Sequence, residues 1–369
     1  MNYKAFQDIQ LSRLGMGNMR LPLQEDGKTI DRVKTQEILD YAMANGINYY
    51  DTAYVYNAGD SERAVGECMK KHPRDSFYLA TKFNYGANPD YKAVFEEQLA
   101  RLQTDHIDFY LLHCLLDNNI DSYLNCGCIE YFMEQKELGR IKYLGFSSHA
   151  SVETLEKFAS HHQWDFAQLQ INYFDWSFSK TQKEYQVLAD RNIPVVVMEP
   201  VRGGRLASLT PECEAMLKAV HPDWSIASWA LRFVETLPQV QVILSGMSNM
   251  EQIIDNCKTF SDSVTLSDED KKLLLEVCDK FHSQLVVPCT ACRYCTDGCP
   301  ASINIPEFMK IYNTYKVEGR GILKRIKEKK VDSTGYPEDC IGCGQCTTHC
   351  PQSISIPGIM KNLAEACAK

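Results

Sequence analysis

The sequence predicts an α/β chain in two parts. A closed (β/α)8 TIM barrel is expected over residues 1–281, followed by a small, mostly helical, cysteine-rich module over 282–369. Three observations carry this. Short apolar, β-branched runs alternate with amphipathic helical stretches through the first part, which implies parallel strands joined by right-handed crossovers. The runs number eight, enough to close a barrel. Beyond them the pattern stops, and one cysteine spacing occurs twice. The competing arrangement is an open doubly wound sheet. It is the weaker reading because no GxGxxG follows a strand and opens a helix.

The strand candidates, in order, are LSRLGMG (11–17), INYYDTA (47–53), FYLATKF (77–83), IDFYLLH (107–113), IKYLGFS (141–147), AQLQINY (167–173), PVVVMEP (194–200) and QVILSGM (241–247). Strands buried on both faces read as near-continuous apolar runs, and these do. Helices are expected between them, among others over 33–46, 91–103 and 152–162, with Gly46 at a helix C-terminal cap. In a parallel barrel the chemistry gathers at the C-terminal ends of the strands. Polar residues interrupt the apolar runs at just those ends: Asp51, Lys82 and His113, with Tyr56 in the loop after Asp51. The barrel would bring an acid, a base, an imidazole and a phenol to one place.

The cysteine module reads as a metal site. Cys289, Cys292, Cys295 and Cys299 have the spacing C-x2-C-x2-C-x3-C-P, and Cys340, Cys343, Cys346 and Cys350 repeat it. This is the ligand run of a two-cluster bacterial-type ferredoxin, in which the fourth cysteine of each run ligates the other cluster. One [4Fe–4S] cluster is therefore assigned to Cys289, Cys292, Cys295 and Cys350, the other to Cys340, Cys343, Cys346 and Cys299. Zinc is disfavoured, because its sites are built from CxxC pairs rather than triplets. Disulfides are disfavoured too: MNYKAFQDIQ has no apolar core of a signal peptide, so a reducing cytoplasmic location is expected. The other cysteines, Cys126 and Cys128 included, are scattered and read as small apolar residues. The tails CPASINIPEFMKIY and CPQSISIPGIMKNL repeat as well, each with a Pro feeding a helix, and the intervening FMKIYNTYKVEGRGILKRIKEKK reads as helix.

The formal net charge of −9 argues against a nucleic-acid surface. No apolar run reaches the ~20 residues of a membrane span. The segment from Lys310 to Lys330 is locally basic, through Lys316, Arg320, Lys324, Arg325, Lys327 and Lys329. It reads either as a solvated helix face or as a docking face for an acidic redox partner such as a ferredoxin.

DTAYVY (51–56), LATK (79–82), YLLH (110–113), LGMGNMRLP (14–22) and LGFSSH (144–149) resemble, in order, the active-site segments of the aldo/keto reductases. Fusion to a two-cluster tail resembles a bacterial and archaeal branch of that family. The resemblance implies a carbonyl reductase that uses NADP(H) or NAD(H). Tyr56 would donate the proton, Lys82 would favour its phenolate, Asp51 would hold Lys82, and His113 would orient the carbonyl. It also implies that Ser147, Ser148 and Gln170 hold the nicotinamide carboxamide, with Ser148 replacing an Asn. Met198 stands where an aromatic ring usually stacks, within MEPVRGG, which includes Pro200, Arg202 and Gly203. Ser245, Gly246, Gln252 and Asn256 fall in the segment that binds the adenosine end. Gly246 and Gln252 stand where NADPH-preferring members often carry Lys and Arg, so the choice of nucleotide stays open. Tyr54, Tyr85, Leu115, Leu116, Phe174 and Trp176 suggest an apolar pocket for a small carbonyl substrate.

Two functions remain open on the sequence. One is a nicotinamide-dependent oxidoreductase of aldehydes or ketones with clusters for electron transfer. The other is an electron-transfer or scaffolding protein whose barrel is a docking platform and whose clusters are structural.

Overall fold

The computed structural model describes residues 1–262, 264–284, 286–296 and 298–368. The chain divides into two compact units, Met1–Val201 with Ala227–Lys271, and Arg202–Ile226 with Lys272–Lys369. The expected boundary at 281/282 falls inside the helix Asp268–Ser283, most of which belongs to the second unit.

The first unit opens with an antiparallel hairpin, β1 (Tyr3–Phe6) and β2 (Ile9–Ser12). Eight strands follow: β3 (Leu14–Gly17), β4 (Tyr49–Asp51), β5 (Tyr78–Phe83), β6 (Ile107–Leu115), β7 (Ile141–Ser148), β8 (Phe166–Gln170), β9 (Val195–Met198) and β10 (Val240–Ser245). They pair in parallel and close in the order β10-β3-β4-β5-β6-β7-β8-β9. The run 11–17, read from sequence as one strand, is bent at Arg13, so that its first half joins the hairpin. The Arg13 guanidinium is 6% exposed and donates to the carbonyls of Val240, Gln241 and Glu235. Ser12 and Asn48 lock the bend by exchanging bonds, Ser12 N to Asn48 Oδ1 at 2.8 Å and Asn48 N to Ser12 Oγ at 3.0 Å.

The hairpin plugs the N-terminal end of the barrel. Phe6 and Leu11 join Tyr49, Phe109, Tyr143 and Phe166 in one buried cluster. The Phe6 ring meets Tyr143 edge-on at 5.0 Å, and Phe109 meets Phe166 at 5.2 Å, separations at which aromatic pairs attract. Gly145 makes room for this: a β-carbon there would lie 2.5 Å from the Phe166 carbonyl oxygen and 2.7 Å from its ring.

The second unit shows the internal repeat in its hydrogen bonds. Ser302 N donates to Cys299 O, and Ser353 N to Cys350 O, each at 3.0 Å. Both serines are left-handed, with φ of 50°. Ile305 N donates to Ile303 O and Ile356 N to Ile354 O, each at 2.8 Å. Each repeat then enters a helix, Ile305–Glu318 or Ile356–Ala368, with Pro306 or Pro357 in the first turn, where a missing N–H costs nothing. Phe308, Met309, Tyr312, Met360 and Leu363 form the core between them. The segment expected as one helix between the cysteine runs breaks at Gly319, whose φ of 87° and ψ of −165° suit glycine alone. A 3-10 turn and the short helix Lys324–Lys327 follow.

Phe6→Ala should lower the stability of the barrel by about 3–5 kcal/mol, the usual range for emptying a buried aromatic site. Denaturant titration measures it. A loss below about 1 kcal/mol would show that the barrel end closes without its plug.

Candidate active site and metal centres

Because the barrel strands are parallel and in phase, their last residues share one rim. Asp51, Ser148, Gln170, Met198 and Ser245 each end a strand, with Lys82 and His113 one and two residues short of theirs. The Lys82 ammonium donates to Asp51 Oδ1 and to Thr52 O, both at 2.6 Å, and to Tyr56 OH at 3.4 Å. It also lies 4.8 Å from the centre of the Tyr56 ring. The rings of Tyr56 and His113 stand edge to face at 5.8 Å. All four side chains are buried. The structure thus brings the four expected residues into one group.

Burial governs their charges. It pulls the Lys82 pKa down, while the Asp51 carboxylate beside it holds it up in part. Burial pushes Asp51 up, and Lys82 opposes this. His113 is held well below the ordinary imidazole value, first by burial and then by the positive charge of Lys82. The imidazole is therefore neutral and acts as a hydrogen-bonding group rather than a cation. Among the described residues His113 Nδ1 and Asp51 Oδ2 have no protein partner. A buried polar atom without a partner costs about 1–3 kcal/mol, so these atoms mark a place where a polar ligand fits.

The nucleotide candidates divide. Ser147 Oγ accepts from Cys114 N at 2.8 Å and Ser148 Oγ from Ala150 N at 3.2 Å, so both hydroxyl protons are left over by these bonds. Gln170 Nε2 donates to Asp175 Oδ2 at 2.7 Å, which turns its amide oxygen to other use. Met198 is the register partner of Gln170 across β8 and β9. Pro200 is buried just beyond it. Ser245 Oγ accepts from Asn256 Nδ2 at 3.0 Å, both residues being buried. Gly246 and Gln252 are exposed, and Gln252 Oε1 accepts from Ser248 N at 2.7 Å. Arg202 and Gly203 belong to the second unit.

Of the expected pocket residues, two are packing. Tyr54 lies under the Arg101 guanidinium, 4.4 Å from ring centre, and donates to Glu97 at 3.0 Å. Trp176 packs edge-on against Tyr185 at 5.4 Å.

The cysteines sort by cavity. Cys289, Cys292, Cys295 and Cys350 line one small cavity, with Ile305, Met309 and Ile354 as apolar walls. Cys299, Cys340, Cys343 and Cys346 line another, with Ile303, Ile341 and Met360. Each cavity takes its fourth cysteine from the other run. A cubane takes one thiolate at each iron corner, whereas tetrahedral zinc draws four ligands to one centre.

Sequence reasoning missed the supports. Asn18 Nδ2 donates to Asp51 O at 2.9 Å. Tyr123 OH donates to His113 O at 2.6 Å. Behind Lys82, Gln98 Nε2 donates to Lys82 O at 3.1 Å and to Glu62 Oε1 at 2.7 Å, and Arg101 pairs with Glu62 at 3.0 Å. His149 was seen only as part of LGFSSH. It is near enough for its charge to bear on His113, and burial, with Lys180 adding, pushes its own pKa down to about 4. The backbone around the tetrad is strained: Asn57, Ala58, Cys114 and Glu199 have φ between 50° and 58°, a feature that clusters at functional sites.

The profile of the Aldo/keto reductase family matches residues 13–278, and that of the 4Fe-4S dicluster domain matches 288–354. The chain is 28% identical over 301 residues to the uncharacterized oxidoreductase YqkF of Bacillus subtilis, covering 72% of this chain and 92% of that one. It is 25% identical over 323 residues to the NADH-specific methylglyoxal reductase of Escherichia coli, covering 74% and 96%. Among solved structures, the holo form of the aldo-keto reductase AKR11C1 from Bacillus halodurans superposes with a TM-score of 0.62 at 27% identity, covering 75% of this chain and 96% of that one. Among the described residues no helix is long and apolar enough to cross a membrane.

His149 should make the fold acid-sensitive. With a folded pKa of about 4 and an unfolded one near 6.5, the unfolded chain gains a proton between those values that the folded chain refuses. Stability is full above pH 6.5 and is lost as the pH falls toward 4. The side chain keeps some surface, so the loss should stay below the ~3 kcal/mol of a complete shift. Urea titrations at pH 7 and pH 5, followed by tryptophan fluorescence, should show His149→Gln losing less than the parent protein. Equal losses would remove His149 from the account.

Proposed function

Because the chain belongs to the aldo/keto reductase family of oxidoreductases, we propose that it reduces a small aldehyde or ketone at the rim formed by Asp51, Tyr56, Lys82 and His113. A bound reduced nicotinamide would supply the hydride, which leaves the carbonyl oxygen in need of a proton. Tyr56 OH donates it. Lys82 stabilises the negative charge left on that oxygen, and Asp51 keeps the ammonium in place and charged in a buried setting. His113, neutral, offers a ring N–H to the carbonyl oxygen and sets it beside Tyr56. The single observation that carries this reading is that one buried ammonium bonds Asp51 Oδ1 and Tyr56 OH together.

In the same reading, Ser147, Ser148 and Gln170 hold the carboxamide, Met198 and Pro200 pack near the ring, and Ser245, Gly246, Gln252 and Asn256 receive the adenosine end. Neither Gly246 nor Gln252 brings a fixed positive charge for a 2′-phosphate. Together with the E. coli relative, an NADH-specific enzyme, this favours NADH. The match to a dicluster domain supports two [4Fe–4S] clusters, one held by Cys289, Cys292, Cys295 and Cys350, the other by Cys340, Cys343, Cys346 and Cys299. Bound clusters would carry single electrons to or from a redox protein such as a ferredoxin. The basic segment gives such a partner modest help, since Arg325 pairs with Glu307 at 3.2 Å, and Lys324 and Lys330 both pair with Glu328.

Tyr56→Phe should bind nucleotide normally and lose carbonyl reduction by ~10²–10⁴-fold, the usual share of a general acid. Anaerobic turnover with a panel of aldehydes and ketones measures it, and near-normal rates would take Tyr56 out of the mechanism. The full chain, reconstituted anaerobically with iron and sulfide, should hold about eight irons with matching sulfide. Zinc in their place, or iron near zero, would end the cluster assignment.

A further inference from the structure

Arg202 opens the segment Arg202–Ile226, which lies between β9 and β10 in sequence yet belongs to the second unit. Its backbone is left-handed, with φ of 50°, and Gly203 and Gly204 follow at 63° and 91°. A residue with a β-carbon holds that conformation at some cost, so the surroundings must fix it. The side chain is 1% exposed. Its Nη2 donates to Pro288 O at 3.0 Å and to Gln352 Oε1 at 3.4 Å. Pro288 directly precedes Cys289, and Gln352 follows Cys350 by two residues. Those two cysteines come from different runs and line the same cavity. One guanidinium therefore ties together the two chain segments that a single cluster has to bridge.

Charge around the two cavities differs. The first cavity has the buried Arg202 bonded to both segments that supply its cysteines, through Pro288 and Gln352. The second run is preceded by Glu338 and Asp339. Lys329 pairs with Glu338 and offsets part of that charge. Cys343 is exposed, and Ile341 beside it is 72% exposed.

Resting on the cluster assignment above, we infer that Arg202 is the positioning residue of the Cys289, Cys292, Cys295 and Cys350 site, and that it gives the cluster there the higher reduction potential of the two. Reduction adds one electron, with no bond made or broken, and so adds one negative charge. A fixed, buried cation stabilises that charge, and burial leaves the attraction little screened. Water at exposed Cys343 acts the other way, by stabilising a reduced cluster in the outer site; Glu338 and Asp339 counter it. An electron from a one-electron reductant then comes to rest beside Arg202, and the exposed run around Cys343 is the face through which it arrives.

The test uses the full chain, reconstituted anaerobically and titrated with dithionite while paramagnetic resonance follows each cluster. The parent protein should show two distinct midpoints. Arg202→Gln should keep its iron and lower the upper midpoint, so that the division of one electron between the sites changes at least tenfold, ~59 mV for a one-electron couple. Arg202→Lys, which keeps the charge, should move it less. Loss of about half the iron from the Gln variant alone would also support the inference, since each cubane holds half. Full iron with both midpoints unmoved in Arg202→Gln would overturn it. So would equal loss of iron from both variants, which would reduce Arg202 to a scaffold residue. Too little iron in the parent protein would instead sink the cluster assignment, before either variant is compared.

Discussion

The candidate active site depends on one buried ion pair. Lys82 and Asp51 meet at 2.6 Å with almost no exposure. Removing one partner of such a pair leaves an uncompensated buried charge and typically costs about 3–5 kcal/mol. The pair is tolerable because the ammonium and both backbones are bonded, while Asp51 Oδ2 stays open toward the site. Thr52 O accepts a second hydrogen bond from the ammonium, Asn18 braces the Asp51 backbone, and Gln98 braces that of Lys82. Tyr56 then meets a cation that has nowhere else to go. The neutral state of His113 follows first from its burial and then from the same charge, since a second cation beside Lys82 is disfavoured.

The barrel was legible because parallel strands are buried on both faces. Runs such as VVVM and VILS have no other comfortable place, and Asp51, Lys82 and His113 stand out at their ends. The cysteine runs were legible because ligation imposes spacing along the chain. What stayed hidden acts through single contacts over long separations. Asn18 and Tyr123 each serve the site by one bond to a backbone carbonyl; Asn18 was seen only as part of LGMGNMRLP, and no local pattern marks Tyr123. The bend at Arg13 was hidden for a similar reason: its guanidinium finds carbonyls more than two hundred residues away. Arg202 is the sharpest case. The resemblance carried by MEPVRGG set it among the nucleotide residues, and nothing local marks its bond to Pro288, 86 residues on.

Backbone conformation divides the molecule in a parallel way. The left-handed residues of the barrel unit include Asn57, Ala58, Cys114 and Glu199, all next to or near the rim residues. In the second unit Ser302 and Ser353 take the same φ at matching points of the repeat. The first set aims side chains after strand ends. The second turns the chain back after the last cysteine of each run, so that an isoleucine can enter the core before its helix begins.

The second unit is discontinuous, and this governs how the chain can be cut. Residues 202–226 are made before β10, and the rest of that unit after it. The helix Pro211–Val220 buries Cys213 and Leu217, and Glu212 pairs with Lys280 of the helix Asp268–Ser283. A stop codon placed after the last barrel element would therefore not release a finished reductase domain. It would leave the buried face of that helix, Cys213 and Leu217, stripped of its cover within the sequence of the truncated protein. A gene encoding the cysteine runs alone would lack Arg202 and the helix that follows it. Any exchange of modules between relatives has to move two separate stretches of sequence together.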